Sequence, residues 1–225
     1  MNENGEIHYW YFAAMLFYPY GDRGAMYCAS GSMEPTLLCG DRLWINKLAY
    51  GGRFPSRWAD IPLLNVFTWI RPLRLADEEN HWEYRRLPGY SEPKQGDIAV
   101  FNSPVDPQLL LVKRITRVVK KGEPLRIDRR TLLLYRSLIL RDGGKVMEKD
   151  GKIYIDGKSS SQYIPKQRFY YMEGDNRMNS HDSRSFGFIS EEAIIGKFDF
   201  VLFSIDSQKQ WWKAIRLRRM MMRFP

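Results

Sequence analysis

Short apolar runs separated by turn-forming residues dominate the chain. Four of them are rich in β-branched, aromatic or leucine side chains: Asp97–Phe101, Leu109–Val112, Lys152–Ile155 and Phe198–Phe203. Runs of this length, bounded by Gly, Pro or Asp, are typical of strands. Gly143-Gly144 and Asp150-Gly151 predict turns. The pattern therefore predicts a mostly β protein with an antiparallel sheet.

Two segments interrupt this pattern. Residues 51–93 contain Trp58, Trp69 and Trp82 and predict a loop-rich insertion, whose aromatic side chains either fill a small core or face a membrane. Residues 123–165 are charged and predict a small inserted β subdomain. The 225 residues suit one domain with such insertions. The predicted parts are an apolar N-terminal segment (1–25), a first core part (26–122), the subdomain (123–165), a second core part (166–205) and a basic amphipathic tail (206–225).

The apolar stretch near the amino terminus runs from Ile7 to Tyr20. As a helix its 14 residues would extend about 21 Å, against about 30 Å for the hydrocarbon core of a bilayer. The residues before it include two Glu and no Lys or Arg, so the basic leading region of a cleavable signal is missing. We expect an interfacial segment, or a strand docked on the domain, rather than a span.

The charge narrows the class of partner. A formal net charge of +9 favours a polyanionic surface. The stretch Trp211–Met220 mixes Trp, Met and Arg, which suits a phospholipid headgroup layer. No helix-turn-helix, zinc-finger or RNA-recognition signature is present, so a membrane surface is favoured over nucleic acid.

The cysteines do not indicate a metal site. Cys28 and Cys39 flank a serine loop, and no Cys/His cluster has zinc spacing, so no metal and no cofactor is expected. The two thiols either form a disulfide in an oxidising compartment or are two small buried apolar side chains. The sequence leaves both interpretations open.

Candidate chemistry lies in two distant strings, Ser30–Leu37 and Gly174–Arg184. Ser32 stands on a loop bracketed by Gly and Pro, and a serine needs a base to become a nucleophile. His181 is one candidate, although it is a sequence neighbour of Ser180, and adjacent side chains of an extended chain face opposite ways. The other candidate is a lysine that lies between the two strings.

Lys113 follows the apolar run Leu109–Val112. Burial disfavours the charged form of an amine and lowers its pKa. A lysine base must fall from a pKa of about 10.4 to roughly 7–8, at a cost of about 3–5 kcal/mol. Because no acidic residue stands in the preceding run, we favour Lys113 over His181 as the base.

These strings resemble a known family. Ser30–Leu37 followed by Gly40-Asp41 closely resembles the nucleophile box of the bacterial type I signal peptidases, the leader peptidases with a Ser/Lys dyad. Lys113–Ile115 is similar to the family's general-base box, and Gly174–Gly187 to its final box. Leu87–Tyr90 and the Trp-Trp basic tail are similar to the Bacteroidetes-type members. Departures are Ala29, where the family usually has Pro, and Met178, where an acidic residue is common.

The resemblance implies a role for each matching residue. Ser32 would be the nucleophile, Lys113 the general base, Ser30 an oxyanion donor and Ser180 the group that orients Lys113. Two pairs would support the site: Asp182 with Arg184, and Asp175 with Arg177. The pockets for the substrate would be lined by Cys28, Ala29, Leu37, Leu111 and Val112.

The resemblance also implies a fold and an activity. The fold would be a signal-peptidase-like antiparallel β-sheet core with an inserted smaller β subdomain and a short C-terminal basic helix. The protein would be a monomeric, membrane-associated serine endopeptidase on the outer face of the cytoplasmic membrane. It would remove signal peptides from exported preproteins after an Ala-X-Ala pattern.

Three other functions are compatible with the same motifs. One is a specialised peptidase of the same family that processes pilins or conjugation proteins. Another is an inactive paralogue that binds a membrane surface. The third, a self-cleaving repressor of the SOS type, needs an amino-terminal DNA-binding module, and only 31 residues precede Ser32.

Overall fold

The computed structural model describes residues 26–28, 30–52, 72, 86–107, 109–149, 151–206, 208–209 and 214–224. Several sequence predictions lie outside these residues. They concern the segment Ile7–Tyr20, the three Trp of the 51–93 insertion, Ala29 and the pair Trp211-Trp212.

Strands are the main regular elements of the described chain. In chain order they are β1 (Met26–Tyr27), β2 (Asp41–Asn46), β3 (Ile98–Asn102), β4 (Leu110–Val119), β5 (Leu125–Arg126), β6 (Val146–Lys149), β7 (Lys152–Ile155), β8 (Lys158–Ser159), β9 (Gln162–Tyr163), β10 (Phe169–Glu173), β11 (Ile189–Ser190) and β12 (Ile194–Ser204). The α-helices whose bounds lie within the described residues are α1 (Arg129–Arg141) and α2 (Ser183–Phe186). Seven strands make one antiparallel sheet in the order β1-β2-β12-β3-β4-β10-β11, which confirms the predicted fold class.

Both faces of this sheet are covered. Side chains alternate between the faces of a strand. On β3, Ile98 and Val100 pack in one apolar cluster with Val112, while Ala99 and Phe101 pack in another with Ile115. Burial on both faces explains why the central strands are continuous apolar runs rather than alternating ones.

The inserted subdomain between β4 and β10 contains a helix that the sequence analysis does not predict. Strands β5 and β9 pair with each other, and β6, β7 and β8 form a small antiparallel sheet. Helix α1 lies between β5 and β6 in the sequence. Its N-cap is Asp128, whose carboxylate accepts from the backbone N–H groups of Arg130 and Thr131 at 2.9 Å each. The insertion therefore has mixed α and β structure.

The loop-rich insertion leaves and re-enters the core at one place. Leu87 N donates to Gly52 O at 2.9 Å, and Ser91 N donates to Ala49 O at 2.8 Å. The two ends of the insertion are therefore adjacent. The domain boundaries drawn from the sequence stay predictions.

The described part of the basic tail packs along β12. Arg216 N donates to Ser204 O at 3.0 Å, and Met221 N donates to Val201 O at 2.7 Å. Within residues 215–224 the tail forms one 3-10 turn, Leu217–Arg219. No helix among the described residues has the length and apolar character needed to cross a membrane.

We expect α1 to be held by its inner apolar face. Leu138 is fully buried in a cluster with Ile139 and Phe188, whereas Leu133 is exposed. Leu138→Ala should lower the free energy of unfolding by about 2–5 kcal/mol, because it removes buried methyl groups and leaves a cavity. The control Leu133→Ala should change it by no more than about 0.5 kcal/mol. Urea unfolding measures both, and equal effects would contradict this packing.

Candidate active site

Two neighbouring strands bring the distant strings together. In the β4–β10 ladder Glu173 lies opposite Arg114, and on the other side of β4 Ala99 lies opposite Lys113. The residue after β10 is Gly174, which therefore comes level with Lys113. The pairing of β4 with β10 therefore places the start of the second string, Gly174, beside Lys113.

The serine loop folds onto this point as a 3-10 turn, Gly31–Met33. Met33 and Leu37 are buried and anchor the turn in the core. Ser32 is buried, and its Oγ is hydrogen-bonded to Lys113 Nζ. Ser30 Oγ lies 3.1 Å from Ser32 Oγ. The geometry therefore joins a hydroxyl, an amine and a second hydroxyl in one chain of contacts.

Lys113 is 2% exposed. Burial lowers its pKa below the ordinary 10.5, and the Asp182 carboxylate opposes this effect only in part. A lowered pKa increases the fraction of neutral amine, and only a neutral amine can accept a proton from the Ser32 hydroxyl.

Asp182 forms an ion pair with Arg184. It is fully buried, and its two carboxylate oxygens accept from Arg184 Nε at 2.9 Å and Nη2 at 2.8 Å. Gly174 N also donates to it at 3.0 Å. Burial alone would raise the pKa of Asp182, but the bonds from Arg184 and Gly174 hold that pKa well below its usual range. The predicted pairing of Asp182 with Arg184 is present.

Asp175 is paired with a different arginine from the expected one. Its carboxylate accepts from Arg114 at 2.9 and 2.8 Å and from Thr36 Oγ1 at 2.6 Å. Arg177 instead lies 3.5 Å from Glu173 and is largely exposed. Burial alone would raise the pKa of Asp175, but the bonds from Arg114 and Thr36 lower it below its ordinary value. The positive charge that balances Asp175 is therefore that of Arg114, the residue next to Lys113.

Asn176 holds the serine loop directly, a role that the sequence analysis missed. Its backbone N donates to Ser32 O and its Nδ2 donates to Gly31 O, both at 3.0 Å. Gly174 makes this approach possible, because a Cβ there would stand 2.5 Å from Ser32 O and 2.2 Å from Ser180 Oγ. The adjacency of Asn176 to Asp175 is the only signal that the sequence offered.

Ser180 lies in the site, but the structure does not give it the expected contact. Its hydroxyl is buried and makes no hydrogen bond of ordinary geometry with the described residues, Lys113 included. It lies near Asp182 and contributes to lowering the pKa of that carboxyl. The orienting role of Ser180 stays a prediction.

His181 is separate from the serine. Its side chain is exposed, and its ring packs edge-on against Phe186 with the ring centroids 5.5 Å apart. The position beside Ser32 Oγ is occupied by Lys113. The geometry therefore favours the lysine of the two candidate bases.

The expected pocket residues fall into two groups. Cys28, Leu37 and Val112 share one apolar cluster, whereas Leu111 packs against the cluster on the other face of the sheet.

Cys28 and Cys39 are free thiols, and burial raises the pKa of Cys28 to about 11, so this thiol stays protonated at neutral pH. No group of three or more metal-ligating side chains comes together in the described ranges.

Comparison with known proteins assigns the chain to a family. The model of the family "Signal peptidase, peptidase S26" matches residues 9–203. The chain belongs to this family. Signal peptidase I T of Bacillus subtilis is 31% identical over 87% of this chain and 78% of its own length. Signal peptidase I of Buchnera aphidicola from Schizaphis graminum is 27% identical, over 84% of this chain and 71% of its own length. The match to signal peptidase I of Pseudomonas aeruginosa, 28% identical, spans 60% of that protein.

Gly174→Ala should disable this member of the family without unfolding it. The added Cβ would displace the backbone of the serine turn. A shift of about 1 Å at a reacting group costs on the order of 100-fold in rate. The rate of Ser32 labelling by an acylating serine probe measures the effect. Gly52→Ala, where the Cβ meets only Leu48 at 4.0 Å, is the matched control and should label normally. Unchanged labelling of Gly174→Ala would contradict the proposed close approach.

The lowered pKa of Lys113 predicts a pH dependence of stability. Between its folded-state pKa and 10.5, the unfolded chain binds a proton at Lys113 that the folded chain does not. The stability of the unsubstituted protein relative to Lys113→Met should therefore rise with pH in this window, with a slope of at most about 1.36 kcal/mol per pH unit. Urea unfolding of both proteins at a series of pH values measures the difference. A difference that does not change with pH would contradict the lowered pKa.

Proposed function

We propose that this protein is a membrane-associated serine endopeptidase that removes signal peptides from exported preproteins. The observation that carries the proposal is the hydrogen bond between the buried Ser32 Oγ and Lys113 Nζ, in a chain of the signal peptidase family. Support also comes from the paired states of Asp182 and Asp175, because a carboxylate that already has an arginine partner does less to charge the amine.

The first half of the reaction forms a covalent ester. Lys113 Nζ accepts the Ser32 hydroxyl proton while Oγ attacks the carbonyl carbon of the scissile peptide bond. The negative charge that develops on the carbonyl oxygen is stabilised by the Ser32 backbone N–H and the Ser30 hydroxyl. Preorganised donors of this kind are worth about 3–4 kcal/mol each. The Lys113 ammonium then gives its proton to the leaving amine, and the mature protein departs.

The second half releases the signal peptide. Lys113, neutral again, accepts a proton from a water molecule that attacks the ester carbonyl. Collapse of the second tetrahedral intermediate breaks the bond to Ser32 Oγ, which recovers the proton from Lys113. The signal peptide leaves with a free carboxylate, and both side chains return to their starting state.

The substrate is proposed to bind as an added strand on β4. Strand β3 pairs with β4 from Leu110 to Arg114, whereas β10 pairs with it only from Arg114 to Val119. Among the described strands none pairs with Leu110–Val112 on the side of β10, so an extended peptide has an edge to join. Small residues at the cleavage site, as in Ala-X-Ala, suit pockets closed by apolar side chains such as Leu37 and Val112.

The location of the enzyme follows from its proposed substrate. Signal peptides reach the outer face of the cytoplasmic membrane as part of exported chains, so we place the catalytic domain on that face. The net charge of +9 suits a surface of anionic phospholipid. The proposal requires no cofactor and treats the enzyme as a monomer.

Loss of either dyad residue should abolish cleavage. Ser32→Ala removes the nucleophile and Lys113→Met removes the base, so each should reduce the rate by at least about 1000-fold. The assay follows cleavage of a preprotein with an Ala-X-Ala junction and identifies the new amino terminus by sequencing.

Matched substitutions make this test specific. Lys149→Met removes an exposed lysine from β6 and should leave the rate unchanged. Ser30→Ala should lower the rate about 100-fold, as expected for one oxyanion donor. Full activity of Ser32→Ala or Lys113→Met would reject the dyad. Cleavage confined to pilin-like substrates would keep the dyad and reassign the substrate class.

A further inference from the structure

Helix α1 has an outward face that nothing in the described structure covers. The face consists of Arg129, Leu133, Arg136 and Leu140, and we refer to it as the α1 face. Leu133 is 82% exposed and Leu140 is 50% exposed. The spacing of four, three and four residues places all four side chains within about 60° around the helix axis. Of the buried residues, Leu138 is on the opposite side of the helix, and Leu132 and Ile139 lie on one flank of the face.

The charges in the first turn of α1 do not stabilise the isolated helix. Arg129 and Arg130 occupy its first turn, and no acidic residue does, although the positive end of a helix dipole favours anions there. Arg129 makes an exposed contact of 2.9 Å with Glu148, and pairs of this kind contribute little. Exposed leucine side chains also do not stabilise a protein surface that faces only water. These features therefore suit a partner rather than the folding of the chain.

Most of the protein's net charge lies around this helix. Residues 120–168 include 13 basic and 6 acidic side chains, a net +7 of the +9 carried by the whole chain. The partner of the α1 face is therefore expected to be anionic. Leu133 and Leu140 lie about 10 Å apart along the axis, between arginines. An amphipathic surface that alternates arginine with leucine matches phosphate headgroups over acyl chains, whereas an acidic protein would need no exposed leucines.

We propose that the α1 face docks on an anionic phospholipid surface. Leu133 and Leu140 enter the boundary between headgroups and acyl chains, and Arg129 and Arg136 contact lipid phosphates. The inference rests on the proposed membrane association and adds to it the contacting face and the lipid class. It does not depend on the dyad chemistry, because Val119, where the insertion begins, lies about 20 Å along β4 from Lys113.

The helix is attached firmly enough to orient the rest of the molecule. Arg141 Nη2 donates to Phe186 O at 3.0 Å, and Phe188 N donates to Ser137 Oγ at 3.1 Å. Both contacts reach the segment that follows Asp182 in the sequence. A membrane contact at α1 would therefore hold the main sheet, and the site on it, at a fixed angle to the bilayer.

A fluorescent probe on the face tests the proposal. In the full chain, with the exposed Cys39 changed to Ser, Leu133→Cys is labelled with an environment-sensitive dye. We expect its emission to shift to the blue and to rise at least about twofold on addition of phosphatidylglycerol vesicles, and to stay unchanged with phosphatidylcholine vesicles. The matched control is Val105→Cys, a site of 72% exposure outside the insertion, which should not respond.

Substitution of the face provides a second readout. Leu133→Gln with Leu140→Gln should weaken partition into phosphatidylglycerol vesicles about tenfold or more, whereas Val105→Gln should not. Cleavage of a soluble peptide should be the same in all variants, which separates this proposal from the proposed chemistry. No dye response at Leu133→Cys, as expected for a face that binds an acidic protein, would overturn the proposal. An equal response to both lipids would also overturn it.

Discussion

An amine that must stay uncharged inside the protein is the constraint on which the site depends. Lys113 and Ser32 are both buried, and the hydrogen bond between them is productive only while Lys113 is neutral. Burial disfavours the ammonium ion. Two carboxylates, the half-buried Asp175 and the buried Asp182, lie close enough to oppose that effect, and each is held by an arginine of its own. The ion pairs therefore brace the loop and also limit the negative potential at the lysine.

Ser32 is held in place mainly by hydrogen bonds to the backbone carbonyl groups of its loop. Asn176 binds two carbonyl groups of the serine turn from one side. From the other side Arg219 donates to Thr36 O at 2.8 Å and to the buried Asp41 at 2.6 Å. The tail, the core of the sheet and the final box thus converge on one loop. Gly174 is required at the point of convergence, because any side chain there would occupy the space of the Ser32 carbonyl.

Sequence reasoning reached the strands and the two central residues because their signals are local. An apolar run ahead of Lys113 indicates burial, and a Gly/Pro-bracketed loop indicates a presented serine. It missed the Asp175–Arg114 pair, because the partners are 61 residues apart and meet only through the irregular β4–β10 register. Helix α1 was missed although Asp128 is a good N-cap, because charged residues and nearby turns suggested a hairpin. Whether Cys28 and Cys39 form a disulfide could be decided only from the fold, in which both are free thiols.

The central claim is that Lys113 is a neutral amine at the pH where the protein works. The most direct measurement is a nuclear magnetic resonance titration of protein labelled with ¹³C at the lysine ε carbon, with the Lys113 signal assigned by its loss in Lys113→Met. We predict that this signal titrates below 10.5. A Lys113 signal that titrates at or above 10.5 would contradict the account, because the amine would then be charged and unable to accept the Ser32 proton.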